Sequence, residues 1–407
     1  MSNKKIFLLV AFFYIFISAF FYHPDIKTIF YQSQFLSKGV LNIYSFLKDN
    51  PDKNVLGPFV YPPFAYLLFG TLFIPVRLFA GVGFTQWLAM GNDAVWVDHI
   101  FRFIFAMKLP LLIFFALTGS VLMKLADSPI KQKMVLLFWF FNPVSLYVVG
   151  FMGQIDIVAI FLTVLALYFA SKKVYLSAFF LGLGALTKSY PLLLLPFFAL
   201  LVSADLKKQI RVFLVGFATY FVGILPFLGS SPFYESTFIS GLSQRIFQTG
   251  ISLGFGENIL LVPFILFILF FVLQQLHVGN LEKIHNYFFL ILTTIVVATH
   301  FHPQWVLWPI PFLALGIFDN KGKVKKSLIL PVVLYFLGWA GTILLFDDKF
   351  LTWGLISTLD SGVLFLPTVN QLLTKYTDVL LIQSIFHTLL ASAGIFLGIK
   401  LTYSKEL

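Results

Sequence analysis

About twelve apolar runs recur along the chain, most of them close to the ~20 residues a helix needs to cross a ~30 Å hydrocarbon layer. They fall near 6–22, 101–123, 132–149, 154–170, 174–187, 190–202, 209–228, 257–276, 286–300, 304–318, 327–346 and 379–399. In lipid, each span must satisfy its own backbone N–H and C=O groups. The pattern therefore predicts an all-α, polytopic membrane protein with about 11–13 spans. Composition agrees: 11% of residues are charged, against about 25% in soluble domains, and mean hydropathy is +0.93. The chain has no cysteine, which excludes disulfides, a thiol nucleophile and Cys-ligated metal sites. The first run follows Lys4 and Lys5 as in a signal peptide. No small-residue cleavage site comes after it, so it reads as a retained anchor.

The formal net charge of +11 acquires meaning from its placement. Lys131 and Lys133, Lys172 and Lys173, Lys207, Lys208 and Arg211, and Lys321 to Lys326 cluster between spans on one side. The positive-inside rule then places both termini and these clusters in the cytoplasm. The charge is a topology signal, and nucleic acid is excluded as a partner. This assignment holds if 23–99 stays wholly outside, with the apolar stretch 59–80 dipping into the membrane or lying on it. The chain is predicted to be one integral-membrane domain. It consists of the span 6–22, a first extracytoplasmic loop 23–99 with juxtamembrane or re-entrant helices, core helices over 101–228, a loop 229–256 and C-terminal helices over 257–407. The outer stretches 23–99, 229–256 and 347–378 exceed ordinary connection lengths, a feature of functional loops.

Polar residues where polarity is costly are the candidates for chemistry. Asp25, in His23-Pro24-Asp25, follows the first span; it is either a general base for a hydroxyl or a solvated helix-end carboxylate. Asp156, in Gly153-Gln154-Ile155-Asp156, either favours its helix N-terminus or shares a cavity with Asp25, orienting an acceptor or binding a metal. Asn142-Pro143 breaks the preceding helix and can shape that cavity. Lys188, in Thr187-Lys188-Ser189-Tyr190-Pro191, sits inside an apolar stretch, which by default marks function. It either pairs with a phosphate or with Asp156, or snorkels to the interface. His300 and His302 flank a break at Pro303, where they can reach a phosphate, a cation or a sugar hydroxyl. Trp305 and Trp308 can stack on a sugar or serve as interfacial belt residues. Arg245, in the loop 229–256, is either a phosphate contact or solvated. No nucleotide-binding loop, dinucleotide fingerprint or EF-hand is present, which leaves an ATP-driven pump without support.

In order along 20–315, these features resemble the GT-C superfamily of integral-membrane glycosyltransferases, nearest to the GPI mannosyltransferase I family and related bacterial mannosyltransferases. The carriers are Asp25, Gly39 and Tyr44; Tyr61-Pro62-Pro63; Asn142-Pro143; Gly153 to Asp156; Lys188-Ser189-Tyr190-Pro191; and Pro303-Gln304-Trp305-Val306-Leu307-Trp308. The family's paired Asp-x-Asp is reduced here to Asp25. The resemblance implies an inverting transfer of a sugar, mannose on the nearest branch, from a polyprenyl-phosphate donor to a glycan, glycolipid or protein acceptor on the extracytoplasmic face of a bacterial or archaeal membrane. Asp25 would be the catalytic base, and Asp156 would orient the acceptor or bind metal. Lys188, His300, His302 and Arg245 would meet the donor phosphate, while Tyr61, Gln154, Tyr190, Gln304 and Trp305 would contact sugar or acceptor. A divalent cation, magnesium or manganese, is compatible with this scheme. The competing class is a secondary transporter or lipid flippase, which predicts charges at the bilayer midplane and inverted repeats. A non-catalytic scaffold subunit would not depend on Asp25.

Overall fold

In a computed structural model the chain is described over residues 3–239 and 241–403; the basic Lys405 and the acidic Glu406 near the cytoplasmically assigned terminus lie outside that set, as does the Lys4 side chain. Helices form at every predicted run. They are α1 (Asn3–Phe20), α2 (Pro24–Ser33), α3 (Pro63–Ala80), α4 (Ile100–Leu125), α5 (Pro129–Phe141), α6 (Asp156–Phe169), α7 (Val174–Ala185), α8 (Tyr190–Val202), α9 (Leu206–Ile224), α10 (Gly241–Gln248), α11 (Leu261–Leu276), α12 (Ile284–Ala298), α13 (Ile310–Ile317), α14 (Lys326–Leu344) and α15 (Val379–Tyr403), with short turns between them. Among the described residues, six helices are long and apolar enough to cross a membrane, or up to eight if two bent pairs count as spans. Asp156–Phe169, Val174–Ala185, Tyr190–Val202, Leu261–Leu276 and Pro303–Ile317 are apolar but shorter. Most of these short helices adjoin the polar breaks at Asp156, Lys188 and Pro303. Large apolar side chains such as Phe12, Leu78, Phe267 and Leu380 are more than half exposed, as expected where hydrocarbon is the solvent.

The expectation of a purely helical chain needs one correction. Residues Gly250–Gly254 and Glu257–Leu260 pair as an antiparallel hairpin. Its reversal uses positive φ at Gly254, Phe255 and Gly256, which two glycines make easy. The span expected from 257 therefore begins at Leu261.

The first loop is built by two sharp devices. Pro24 occupies the first turn of α2 after the extended His23, and the chain bends 87° between Lys5–Phe20 and Pro24–Lys38. Helix α3 then packs on that bent segment, with Gly70 close against Leu36 and Ser33. The first amides of α3, Phe64 and Ala65, donate to the Leu186 carbonyl at 3.0 and 3.3 Å. Gly81 and Gly83, just past its last turn, sit against Arg102 and Phe103. Length and composition alone would let α3 cross, but both its ends touch the same end of the helical bundle.

That end collects the turns at 20–25, 153–156, 186–190 and 299–305. The opposite end collects the basic connections. Ser128 bonds the Asn320 carbonyl, Gly322 packs on Ile130, and the Gly279 amide bonds the Leu200 carbonyl. Asp127, Lys131, Glu282 and His285 share a cavity there.

Helices α7 and α9 meet at a glycine contact: a Cβ on Gly182 would lie 2.3 Å from the Gly216 carbonyl oxygen. Backbone cannot give way as a side chain can. Gly182→Ala is expected to cost about 1–3 kcal/mol by overpacking, read as a lower unfolding temperature in detergent or nanodiscs.

Candidate active site

Asp25 lies in the first turn of α2, where the helix dipole favours a carboxylate. Its side chain is 42% exposed. The Asp25 amide donates to His23 Nδ1 at 3.2 Å. That nitrogen is therefore an acceptor without a proton, and its 3.7 Å approach to Asp25 Oδ1 is neither a hydrogen bond nor an ion pair. Oδ2 accepts from Gln154 Nε2 at 2.8 Å.

Gln154 reaches Asp25 because the chain before it is interrupted twice. Asn142 caps the turn at Pro143: its Oδ1 accepts from the Ser145 amide, and its Nδ2 donates to the carbonyls of Phe138 and Trp139. The axis bends by 44° there, and Leu146–Met152 continues as a π-helix. Gly153, at φ +74°, then turns the chain into Gln154 and α6. Gln154 is buried, and its role in the structure is to hold the Asp25 carboxylate.

Asp156 is fully buried and both its oxygens are engaged. Oδ2 pairs with Lys188 Nζ at 3.2 Å, and Oδ1 accepts from the Trp308 indole at 2.6 Å. The Lys188 ammonium also lies 5.1 Å from the centre of the Tyr61 ring. Tyr61 lies within the field of both Asp25 and Asp156; burial and then those two charges hold its phenol well above the usual tyrosine range.

Four rings form a column beside this pair. Tyr190 stacks on Trp308 at 4.3 Å, Trp308 on Trp305 at 4.8 Å, and His302 leans on Trp305 at 4.5 Å. Trp305 and Trp308 are thus each packed against two other rings. The Arg245 guanidinium sits 5.9 Å from the Trp305 ring. Burial, then the cations of Arg245 and Lys188 and the His300 ring, push the His302 imidazole down to about 2, so it is neutral. His302 Nε2 and Arg245 Nη1 are buried without a hydrogen-bond partner among the described residues. His300 is exposed, with its ring 5.6 Å from His302, and Gln304 is half-buried on the same turn.

A cavity of about 510 Å³ opens against this cluster. Leu192, Leu193, Phe217, Phe238 and Phe247 give it apolar walls, while Tyr61, Lys188, Trp305 and Trp308 line its polar part. No group of three or more His, Cys, Asp or Glu side chains that could hold a metal occurs among the described residues. With Asp156 doubly engaged and Asp25 held by Gln154, the donor set does not assemble a protein-built magnesium or manganese site.

A model of glycosyltransferase family 87 matches residues 59–253. The matched segment, which holds Tyr61, Gln154, Asp156, Lys188, Tyr190 and Arg245, is similar to that family. The match goes to family 87, so the resemblance to the GPI mannosyltransferase branch rests on motifs alone. A comparison with curated proteins finds no match. Among solved structures, ArnT from Cupriavidus metallidurans bound to undecaprenyl phosphate is similar at 13% identity, covering 98% of this chain and 77% of that one, with a TM-score of 0.47.

The sequence reading singled out Trp308 as a stacking platform and missed its indole bond to Asp156. Nor did it find the cavity wall of Phe217, Phe238 and Phe247, since a pocket-lining aromatic and a lipid-facing one look alike in sequence.

Breaking the buried pair from one side strands a charge. Lys188→Met is expected to cost about 3–5 kcal/mol, and Lys188→Met with Asp156→Asn together less than the single change, read from unfolding temperatures. His302 stays neutral in the folded chain but takes a proton near its ordinary value of ~6.5 when unfolded. The unfolded state therefore binds more protons below that pH, and stability falls as pH drops from ~6.5. His302→Asn is expected to flatten that decline in a melting-temperature series between about pH 7 and 4.

Proposed function

We propose that this chain is an inverting membrane glycosyltransferase of GT-C type that moves a sugar from a polyprenyl-phosphate donor to a lipid-linked or envelope glycan acceptor. Mannose is the sugar assigned, on the motif resemblance. The observation that carries the reading is the cavity: apolar walls for a lipid tail run up to Lys188, with Arg245 and His302 beside it holding unpartnered buried nitrogens. An amphiphile with an anionic headgroup satisfies both parts.

In this mechanism the acceptor hydroxyl attacks the anomeric carbon from the face opposite the phosphate. The bond between that carbon and the phosphate oxygen breaks, and the electron pair leaves with the polyprenyl phosphate. The hydroxyl proton passes to Asp25 through Oδ1, because Gln154 holds Oδ2. Lys188 and Arg245 stabilise the charge growing on the leaving phosphate. Neutral His302 contributes a hydrogen bond and no charge. Asp156 aims Lys188, and the Trp308 indole fixes Asp156. His300 and Gln304, at the rim, and Tyr61, Tyr190 and Trp305, around the cavity, complete the headgroup and sugar contacts.

By the charge rule the end bearing Asp25 is extracytoplasmic and the basic end cytoplasmic. A transporter would instead place its polar groups near the midplane, whereas Asp25, Gln154, Lys188 and His302 gather at helix breaks at one end.

The test is transfer of labelled sugar from polyprenyl-phosphate mannose to a mixed acceptor extract by the purified chain in lipid. Asp25→Asn is expected to lower the rate by roughly 10²–10⁴-fold with folding retained. An undiminished rate in that variant overturns Asp25 as base. Failure of the wild type with every polyprenyl-phosphate sugar, together with movement of such lipids between leaflets, replaces the enzyme with a flippase.

A further inference from the structure

Lys108 lies well inside α4 and is fully buried. Its ammonium donates to three backbone carbonyls: Phe21 at 2.7 Å, Gly150 at 2.8 Å and Phe151 at 2.7 Å. An ammonium has three N–H donors, so this one is fully used. We propose that Lys108 is a positioning residue that fixes the two catalytic loops relative to each other from inside the membrane.

The acceptors indicate the role. Phe21 follows the last residue of α1 and precedes Asp25 by four residues; Phe151 precedes Gln154 by three. Both segments are places where a helix stops, and a stopped helix leaves carbonyls without donors. At the π-helical segment, the amides of Gly153 and Gln154 both return to the Val148 carbonyl. The carbonyls of Gly150 and Phe151 are left to Lys108. In hydrocarbon such groups are costly unless satisfied, so one nitrogen meets the need of two loops and thereby ties them together. The rings of Phe21 and Phe151 stack at 4.0 Å across the same join.

Gly153 makes room for the device. A Cβ there would stand 2.9 Å from Lys108 Cε and 3.0 Å from its Cγ. The glycine that lets the chain turn into Gln154 also admits the lysine stem. Arginine carries donors too, but its flat fork cannot converge on three carbonyls as a compact ammonium does.

The catalytic consequence rests on the glycosyl-transfer reading; the geometric one does not, and the experiment separates them. The chain lacks cysteine, so Asp25→Cys with Gln154→Cys reports the distance between the loops by its oxidative cross-linking rate in membranes. Adding Lys108→Met is expected to slow cross-linking about tenfold or more, with Lys108→Arg between the two. In the chain with Asp25 and Gln154 intact, Lys108→Met is expected to lower kcat on the order of 10²-fold, the scale of a displacement near 1 Å, with donor KM little changed. Cross-linking that is undiminished in folded Lys108→Met overturns the proposal. Should that variant fail to fold, Gly153→Ala, which presses on the lysine stem, supplies the same readout, and undiminished cross-linking there overturns it equally. Slowed cross-linking, together with no sugar transfer by the wild-type chain from any polyprenyl-phosphate donor, sinks the enzyme reading and leaves the positioning role standing.

Discussion

The structure depends on one constraint: a backbone carbonyl or amide inside hydrocarbon must find a partner. Uninterrupted helices meet it trivially. This chain interrupts its helices repeatedly, and three of the interruptions show a named group making the repair. Asn142 receives the Ser145 amide and supplies the carbonyls of the preceding turn. Leu186, at the break between α7 and α8, lends its carbonyl to the start of α3. Lys108 serves the loops on either side of the Asp25–Gln154 contact. The breaks repaired by Leu186 and Lys108 lie at the end that bears Asp25, and there irregular backbone and several ionisable side chains coincide.

Within that end the charges divide into two environments. Asp25 is half-exposed and has one oxygen held by a neutral amide. Asp156 is sealed between an ammonium and an indole. Two carboxylates 131 positions apart in sequence thus stand in different surroundings at the same end of the bundle.

Much of this was legible before the fold. An intramembrane lysine and a carboxylate at a span start are costly residues, so the sequence pointed to Lys188 and Asp156 and to their pairing. The helix breaks at Pro24, Asn142-Pro143, Lys188 and Pro303 were legible for the same reason: proline and charge interrupt an apolar run. The Gln154–Asp25 bond was not legible, since nothing local in either segment encodes a partner so remote. Lys108 was visible only as a residue out of place, because its partners are backbone atoms that carry no sequence signature. The hairpin after α10 escaped notice because its glycines read as an ordinary loop and its last residues, Ile259 and Leu260, run directly into the apolar α11.

The ring column has a consequence for what the cavity can hold. Asp156, and with it Lys188, hangs from the edge of Trp308, while Arg245 lies over the neighbouring Trp305. Rigid plates 4.8 Å apart therefore set the spacing of the anchors on which the two cations rest, where flexible methylene chains would leave it loose. On the proposed donor reading, a headgroup bridging both cations would be measured against that spacing, and the column would serve as a gauge of its size.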